Sequence, residues 1–400
     1  MKITSVLLFG LLTGCSASGG GPEDPCASAS SGTACRWAGT GDKGYNAESP
    51  TAHRLESQLY FPSDLTFGPD GRAYIVDWNN HRIRRVEQDD SLVTVLGTDY
   101  EGDGPPEMED RLPICNPQGA LGTTIAMNHP TDAKFGPDGL LYVAAWHNNK
   151  IRVLDPSTGN AFSLAGNGYG YAGDGGAACT ALFNQPKTLV FGPDGTIYTI
   201  DQRNARIRAI TPGALMDRQI ATFAGDGKRG NVGDGGPAIT AEFGFELIDT
   251  PRPSGGLALL DNFMYVADSL NNRIRRIDMT TGMIDCIAGG AAMPGYSGDG
   301  GSALAATFNF PNDLEIGPDG RLYVADRYNH AVRAIDLATN IIETVVGDGT
   351  PCDQAAGECA DRTTSGTAMR LDEPYGISFD ATGNLYVADT LNSRIVKVFK

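Results

Sequence analysis

The stretch Tyr-Val-Ala-Asp-Ser-Leu-Asn-Asn-Arg-Ile-Arg at residues 265–275 recurs along this chain and decides its fold. Its tyrosine is followed three residues later by an aspartate, then at the same interval by an asparagine and by a β-branched residue. Alanine replaces the aspartate in one copy. The tyrosines that mark the six copies are Tyr74, Tyr142, Tyr198, Tyr265, Tyr323 and Tyr386. Self-similarity over tens of residues is typical of repeat architectures, in which each copy is one supersecondary unit.

Hairpin turns precede most of these tyrosines. Phe-Gly-Pro-Asp-Gly stands at 67–71, 135–139 and 191–195, and Ile-Gly-Pro-Asp-Gly at 316–320. Proline presets φ, aspartate bonds its own backbone and glycine accepts a positive φ, so this pattern predicts a turn between two strands. Each copy predicts four strands, which in the fifth copy are Asp313–Ile316, Leu322–Asp326, Ala331–Asp336 and Ile341–Val346.

A single four-stranded sheet cannot bury both of its faces, so the copies are expected to stack around an axis. The sequence therefore predicts an all-β fold, a six-bladed β-propeller of four-stranded blades. The last copy stops five residues after Ile395, before a fourth strand. Residues 34–39 end in the Ala-Gly that closes other outer strands, so we expect this N-terminal strand to complete the last blade.

The composition agrees with this architecture and excludes one class of partner. Glycine accounts for 52 of 400 residues, about twice its usual share, which suits many tight turns. Lys and Arg number 31 against 48 Asp and Glu, a net charge of −17. Such an acidic chain is not expected to bind nucleic acid through its phosphates.

The N-terminus reads as a targeting segment. Lys2 precedes an apolar run at residues 3–12 that is too short to span a bilayer, and Leu-Thr-Gly-Cys follows at 12–15. This is similar to a bacterial lipobox, so we expect residues 1–14 to be a lipoprotein signal peptide and Cys15 to carry the lipid. The alternative is an ordinary secretory signal with an incidental cysteine. Residues 15–34 then form a lipid-anchored flexible linker and 35–400 the propeller, exported and anchored in the cell envelope, on the outer membrane if Gram-negative.

The repeated stretch resembles the NHL repeat over about residues 35–400. Long spacers such as Gly-Tyr-Ser-Gly-Asp-Gly-Gly (295–301) resemble those of exported bacterial NHL propellers of lipoprotein type and of the teneurin NHL domain. The resemblance implies the propeller fold but is compatible with several functions, because NHL-like propellers include protein-binding modules, RNA-binding modules and a peptide-amidating lyase. Gluconolactonase-type hydrolases share a related form, so the fold alone does not give the function.

Candidate site residues lie on the face that carries the variable spacers, here called the loop face, since variable material on one face usually marks the binding side. Asp64, Asp132 and Asp313 share one position at the start of an inner strand and converge on the axial channel. Three carboxylates suit a calcium ion, which is the cofactor that this set of residues would bind. We favour the alternative, in which each caps its strand or bonds the neighbouring loop. The spacer aspartates Asp103, Asp174, Asp234 and Asp299 are expected to stabilise Asx turns.

Four histidines, His81, His129, His147 and His330, also fall on the loop face. Three neutral imidazoles and a water make a catalytic metal site, and the lyase resemblance implies His81, His129 and His147 as alternative metal ligands. His81 and His330 occupy the corner position where another copy carries Asn272, so solvent-facing loop residues are the preferred interpretation.

An exported chain meets an oxidising compartment, so disulfides are expected. The pairs that a propeller allows with least chain movement are Cys26 with Cys35, Cys115 with Cys179, and Cys352 with Cys359. Cys286 is left over as a small residue in an outer strand.

These observations favour a binding or scaffolding propeller for a protein, peptide or glycan, with membrane contact only through its lipid. The alternative is a metal-dependent lyase or lactone hydrolase with a site in the central channel. The chain contains no Gly-x-Ser-x-Gly, His-Glu-x-x-His or phosphate-loop motif, so we rank the enzyme second.

Overall fold

The computed structural model describes residues 22–46, 52–98, 101–102, 112–246 and 253–400, which form six antiparallel sheets. The sheets are the six four-stranded blades that the repeats predict, and the all-β propeller is confirmed. Within these ranges, no helix is long and apolar enough to cross a membrane. The predicted signal peptide, Cys15 and Asp103 lie outside the described residues.

Each blade runs from an inner strand at the axis to an outer strand. Strand β1 (Ala34–Ala38) precedes blade 1, which contains β2 (Pro62–Phe67), β3 (Ala73–Asp77), β4 (Arg82–Val86) and β5 (Leu92–Leu96). Blade 2 contains β7 (Pro130–Phe135), β8 (Leu141–Ala145), β9 (Lys150–Leu154) and β10 (Asn160–Ala165). Blade 3 contains β11 (Pro186–Phe191), β12 (Ile197–Asp201), β13 (Arg206–Ile210) and β14 (Ile220–Ala224). Blade 4 contains β16 (Leu257–Leu260), β17 (Phe263–Asp268), β18 (Arg273–Asp278) and β19 (Met283–Ala288). Blade 5 contains β20 (Pro311–Ile316), β21 (Leu322–Asp326), β22 (Ala331–Asp336) and β23 (Ile341–Val346). Blade 6 contains β25 (Pro374–Phe379), β26 (Leu385–Asp389) and β27 (Arg394–Val398).

Short spacer segments extend three of the sheets. Two-residue strands pair with the outer strands β10, β19 and β1, and they are β6 (Ala120–Leu121), β15 (Gly236–Pro237) and β24 (Arg362–Thr363). Spacers also contain the 3₁₀ turns Gly122–Thr124, Ala178–Thr180, Ala238–Thr240, Ala303–Ala305 and Gly366–Ala368.

Strand β1 closes the ring, as the sequence predicts. It pairs antiparallel with β27, with Ala34 opposite Val398 and Arg36 opposite Val396. Residues 22–33, which the sequence analysis assigned to the linker, lie against the propeller: Asp24 forms an ion pair with Arg54 at 2.7 Å, and the Gly32 N–H donates to the Phe399 carbonyl at 2.8 Å. These contacts form because the Cys26–Cys35 disulfide holds the segment beside β1.

The repeat tyrosines form part of the packing between blades. In four blades the ring of the second-strand tyrosine meets, edge to face, a phenylalanine at the end of the next blade's inner strand. The pairs are Tyr74–Phe135 (5.0 Å), Tyr142–Phe191 (5.0 Å), Tyr323–Phe379 (4.8 Å) and Tyr386–Phe67 (4.9 Å between centroids). The tyrosine therefore recurs because each blade buries its neighbour's aromatic side chain.

Three disulfides join the cysteine pairs that the sequence predicts. They are Cys26–Cys35, Cys115–Cys179 and Cys352–Cys359, with Cα atoms 5.3–5.4 Å apart. Cys286 is a free thiol in β19, and burial raises its pKa, which argues against a reactive role.

Candidate functional site

The corners of the loop face link neighbouring blades. A 3₁₀ turn follows the second strand in four blades and ends on a corner residue in the left-handed conformation; these turns are Trp78–Asn80, Gln202–Asn204, Ser269–Asn271 and Arg327–Asn329. At two corners an asparagine reaches the next blade: the side-chain oxygens of Asn149 and Asn272 accept backbone N–H groups at 2.9 Å. His81 does the same with its ring, because its Nδ1 accepts the backbone N–H of His129 at 3.1 Å.

Seven rings lie in continuous contact on the loop face of blades 1 and 2. Trp78 lies 4.7 Å from the His129 ring, which lies 4.4 Å from His81 and 4.8 Å from His147. Trp146 stacks on His147 at 4.2 Å. We call this set the aromatic row, and its members are Tyr60, Phe61, Trp78, His81, His129, Trp146 and His147. Tyr60, Phe61, His129 and His147 are partly exposed.

His129 lies at the centre of the row. Its Nε2 is 3.1 Å from Asn79 Oδ1, while its Nδ1 is 2.7 Å from Asn128 Oδ1 and 3.0 Å from His147 Nδ1. Burial, reinforced by the neighbouring imidazoles, lowers the pKa of His129 to about 3. Burial likewise lowers the pKa of His147 to about 4. Both rings are therefore neutral at physiological pH.

His81 has a fixed tautomer. Because its Nδ1 accepts a backbone N–H, the ring proton resides on Nε2, which lies 3.1 Å from Glu101 Oε1 and donates to it. The Glu101 side chain is 60% exposed, so this end of the cluster is open to solvent.

The preferred interpretation of the histidines as solvent-facing loop residues is wrong for His81, which is buried, whereas His129 and His147 are partly exposed. The corner places His81 in the junction between two blades, where the start of β7 brings His129 against it. His330 makes the equivalent contact between blades 5 and 6, where its Nδ1 accepts the Glu373 N–H at 3.2 Å.

We did not predict Glu101, Trp78 or Trp146 as site residues from the sequence. The signal for the tryptophans was their shared register, since Trp78 and Trp146 both follow the second strand of their blades. Glu101 had no comparable signal, because the spacers of other blades carry unrelated residues at its position, where Tyr169, Arg229 and Pro294 form the equivalent bridges.

Asp132 and Asp313 bond neighbouring inner strands. Asp132 Oδ2 accepts the Thr188 hydroxyl at 2.7 Å and the Leu189 N–H at 2.6 Å, and Asp313 Oδ2 accepts the Ile377 N–H at 3.0 Å. These bonds join the inner strands of adjacent blades, rather than capping the aspartates' own strands or bonding a loop.

Two lysines, also missed in the sequence, fill the channel among the carboxylates. Lys134 Nζ is 3.7 Å from Asp64 Oδ2 and 3.4 Å from Glu315, and Lys187 Nζ donates to the Asn312 carbonyl across the ring at 2.8 Å. Burial raises the pKa of Asp64 well above its usual value. The pKa of Asp132 is lowered by Lys134 and by hydrogen bonds despite its burial. The two ammonium groups thus offset part of the negative charge of the channel carboxylates.

The spacer aspartates pair with arginines rather than only stabilising turns. Asp174 lies 2.5 Å from Arg208, and Asp299 lies 2.6 Å from Arg333. Asp234 bridges Arg273 and Arg275 at 2.9 and 2.8 Å. These arginines also contact the buried aspartates at the ends of the second strands, so each spacer is bonded to its blade.

The NHL repeat family model matches residues 59–86 and 308–335, in blades 1 and 5. The chain is similar to Protein SUPPRESSOR OF QUENCHING 1, chloroplastic, of Arabidopsis thaliana, with 29% identity over 89% of this chain and 32% of that protein. It is also similar to Teneurin-1 of Caenorhabditis elegans, with 25% identity over 85% of this chain and 12% of that protein. The chain spans less than half the length of these relatives.

A solved structure shares the fold at low sequence identity. It is described as an auxiliary nutrient binding protein from Bacteroides thetaiotaomicron, and it superposes with a TM-score of 0.61 and 14% identity over 91% of this chain and 75% of that one. Blades 1 and 5 thus contain stretches that match the NHL repeat, within a six-bladed β-propeller.

Proposed function

Taking the chain as a six-bladed NHL β-propeller, we propose that it is a binding module of the bacterial cell envelope. It holds a peptide, protein or glycan against the aromatic row, and a lipid on Cys15 keeps it at the membrane.

The aromatic row is the observation that carries this proposal. Flat rings with partly exposed edges stack against sugar rings and against apolar or aromatic side chains at little entropic cost. The polar atoms beside them, such as those of His147 and Asn79, supply the directional bonds that orient a ligand. Tyr60, Phe61, His129 and His147 offer such surface together, between two blades.

The central channel is the less suitable place for a ligand. Lys134 and Lys187 reach across it to carboxylate and carbonyl oxygens of other blades. A ligand passing along it would have to break the bond of the buried Lys187, and buried polar contacts cost more to break than surface contacts. We therefore do not assign the lyase or hydrolase alternative to the channel.

The description of the Bacteroides thetaiotaomicron propeller as a nutrient-binding protein supports binding rather than catalysis. Its sequence similarity is low, so it lends support through the fold alone. The ligand class proposed for this chain rests on its own rings.

Binding is tested by tryptophan fluorescence, since Trp78 and Trp146 belong to the row. Titration with soluble peptidoglycan fragments, neutral oligosaccharides and short peptides should shift the emission for one of these classes. Phe61→Ala should weaken that binding tenfold or more, about 1.4 kcal/mol. Tyr169→Ala is the matched control, because Tyr169 is 67% exposed and lies outside the row. Equal affinity of the Phe61→Ala variant and the native protein would overturn the proposal.

The lipid anchor has its own test. In a bacterial host, the native chain should incorporate radiolabelled palmitate and partition into detergent. Cys15→Ala should remain in the aqueous phase without label. Labelling of the Cys15→Ala variant would show that the anchor is elsewhere.

A further inference from the structure

Hydrogen-bond acceptors surround His129. Asn128 Oδ1, Asn79 Oδ1 and His147 Nδ1 all lie within 3.1 Å of its two ring nitrogens. A neutral imidazole carries one N–H, so when Nε2–H donates to Asn79, the lone pair of Nδ1 faces the other two atoms. In the tautomer of His147 that carries its proton on Nε2, three lone pairs converge at this distance, and a cation satisfies that arrangement.

The carboxylate of Glu101 lies near His129. One metal-ligating atom from each of His81, Glu101 and His129 lies within 4.8 Å of the others. The Nδ1 atoms of His129 and His147 are 3.0 Å apart, close to the separation of about 3.3 Å expected for two nitrogens on one tetrahedral zinc.

We propose that His129 Nδ1 and His147 Nδ1 bind one transition-metal ion of the zinc class, with the nearby Glu101 carboxylate, the Asn128 amide oxygen or water as further ligands. Two imidazoles and one carboxylate are ligands that favour zinc over calcium or magnesium. The proposal does not depend on the ligand of the aromatic row.

His81 is a positioning residue in this arrangement and not a ligand. Its Nδ1 is used by the His129 backbone N–H, so its Nε2 keeps the proton and donates it to Glu101. Asn79 holds His129 Nε2–H in the same way. Such outer hydrogen bonds orient metal ligands, and removing one weakens metal affinity about 10–100-fold.

The exposed side of Glu101 gives the ion a path from solvent.

The test is zinc titration of the full chain, purified without a polyhistidine tag and stripped with chelator. Calorimetry should give one zinc per chain. His129→Gln and His147→Gln should each weaken zinc binding at least 100-fold, and cobalt bound to the native protein should give the visible absorption of a low-symmetry site without sulfur ligation.

His81→Asn separates positioning from ligation, because asparagine keeps the blade-to-blade bond that Asn149 and Asn272 make at the same corner. This variant should retain one zinc per chain with affinity reduced 10–100-fold, and His330→Asn should bind as the native protein does. Absence of stoichiometric zinc, or zinc binding unchanged in His129→Gln, would overturn the proposal. Loss of binding in His81→Asn equal to that in His129→Gln would overturn the assigned role of His81. Thermal melts in chelator show whether each variant is folded.

Discussion

Gly39 lies so close to Ser393 that a Cβ atom on the glycine would be 2.5 Å from the Ser393 carbonyl oxygen. Ser393 is the left-handed corner residue between β26 and β27, and Gly39 directly follows β1 with φ 84°. In blade 1, a Cβ atom on Gly97 would overlap the His81 carbonyl oxygen in the same way. Strand β1 therefore occupies the position in blade 6 that the outer strand β5 occupies in blade 1.

We expect Gly39→Ala to weaken the closure of the ring. The substitution adds a steric overlap with backbone, which costs about 1–3 kcal/mol, to the strain of a positive φ. Gly32→Ala is the matched control, since Gly32 has φ 82° and no atom lies within 4 Å of its added Cβ. Urea unfolding measures the difference, and equal destabilisation by the two variants would contradict the close contact.

The sequence was sufficient to predict the blades because a repeated pattern reports a repeated packing requirement. Tyrosine, aspartate and asparagine recur since every blade makes the same contacts, such as Asn204 and Asn329 with the strand-end aspartates. The closing strand was predictable for the same reason, because Ala38-Gly39 repeats the end of other outer strands.

The candidate site was only partly predictable, because it departs from the repeat. His129 and His147 belong to one blade and occupy different repeat positions, and the spacer position of Glu101 carries no carboxylate in other blades, where it is Tyr169, Arg229 or Pro294. Their proximity depends on how the blade junction folds, which no spacing along the chain reports. The lysines were missed for a related reason, since Lys134 meets its partner Glu315 across the ring from another blade.

The buried pair of Arg333 and Asp326 should contribute more to stability than a surface pair. Both side chains are fully buried, and Arg333 also reaches Asp299. Arg333→Met leaves a buried carboxylate without its partner and should cost about 3–5 kcal/mol. Combining it with Asp326→Asn should cost less than the sum of the single changes.

Arg321→Met provides the control in the same blade. Arg321 pairs with Asp319 where both side chains are about one-third exposed, so the loss should stay near or below 1 kcal/mol. Chemical unfolding of all four variants tests the ranking, and it fails if Arg321→Met is as costly as Arg333→Met.

Asp201 should make the free energy of unfolding depend on pH. Burial raises its pKa to about 6 in the folded protein, from 3.8 when exposed. Between these pH values the folded protein keeps the Asp201 proton that the unfolded chain releases. Asp201 therefore contributes stability below pH 4, and this contribution is lost as the pH rises through 6. The loss amounts to about 3 kcal/mol at 1.36 kcal/mol per pH unit.

Asp201→Asn cannot titrate, so its stability relative to the native protein should increase between pH 4 and pH 7. Asp217→Asn, in an exposed loop, should keep a constant difference from the native protein over this range. The measurement is the urea midpoint and slope at several pH values. Parallel pH profiles for native and Asp201→Asn proteins would contradict the raised pKa.

The disulfides should differ in their contributions according to the loops that they close. Cys115 and Cys179 are 64 residues apart and join the spacers on either side of blade 2, whereas Cys352 and Cys359 are 7 apart within one spacer. Closing a longer loop removes more entropy from the unfolded chain, which gives about 4 kcal/mol for the first bridge and about 2.5 kcal/mol for the second. Replacing both cysteines of a pair by serine should therefore lower the urea midpoint more for Cys115 and Cys179. Cys286→Ser controls for loss of a thiol and should have a smaller effect, because Cys286 forms no bridge and is only partly buried. A larger loss from the short loop would mean that contacts within that spacer, rather than chain entropy, determine what its bridge contributes.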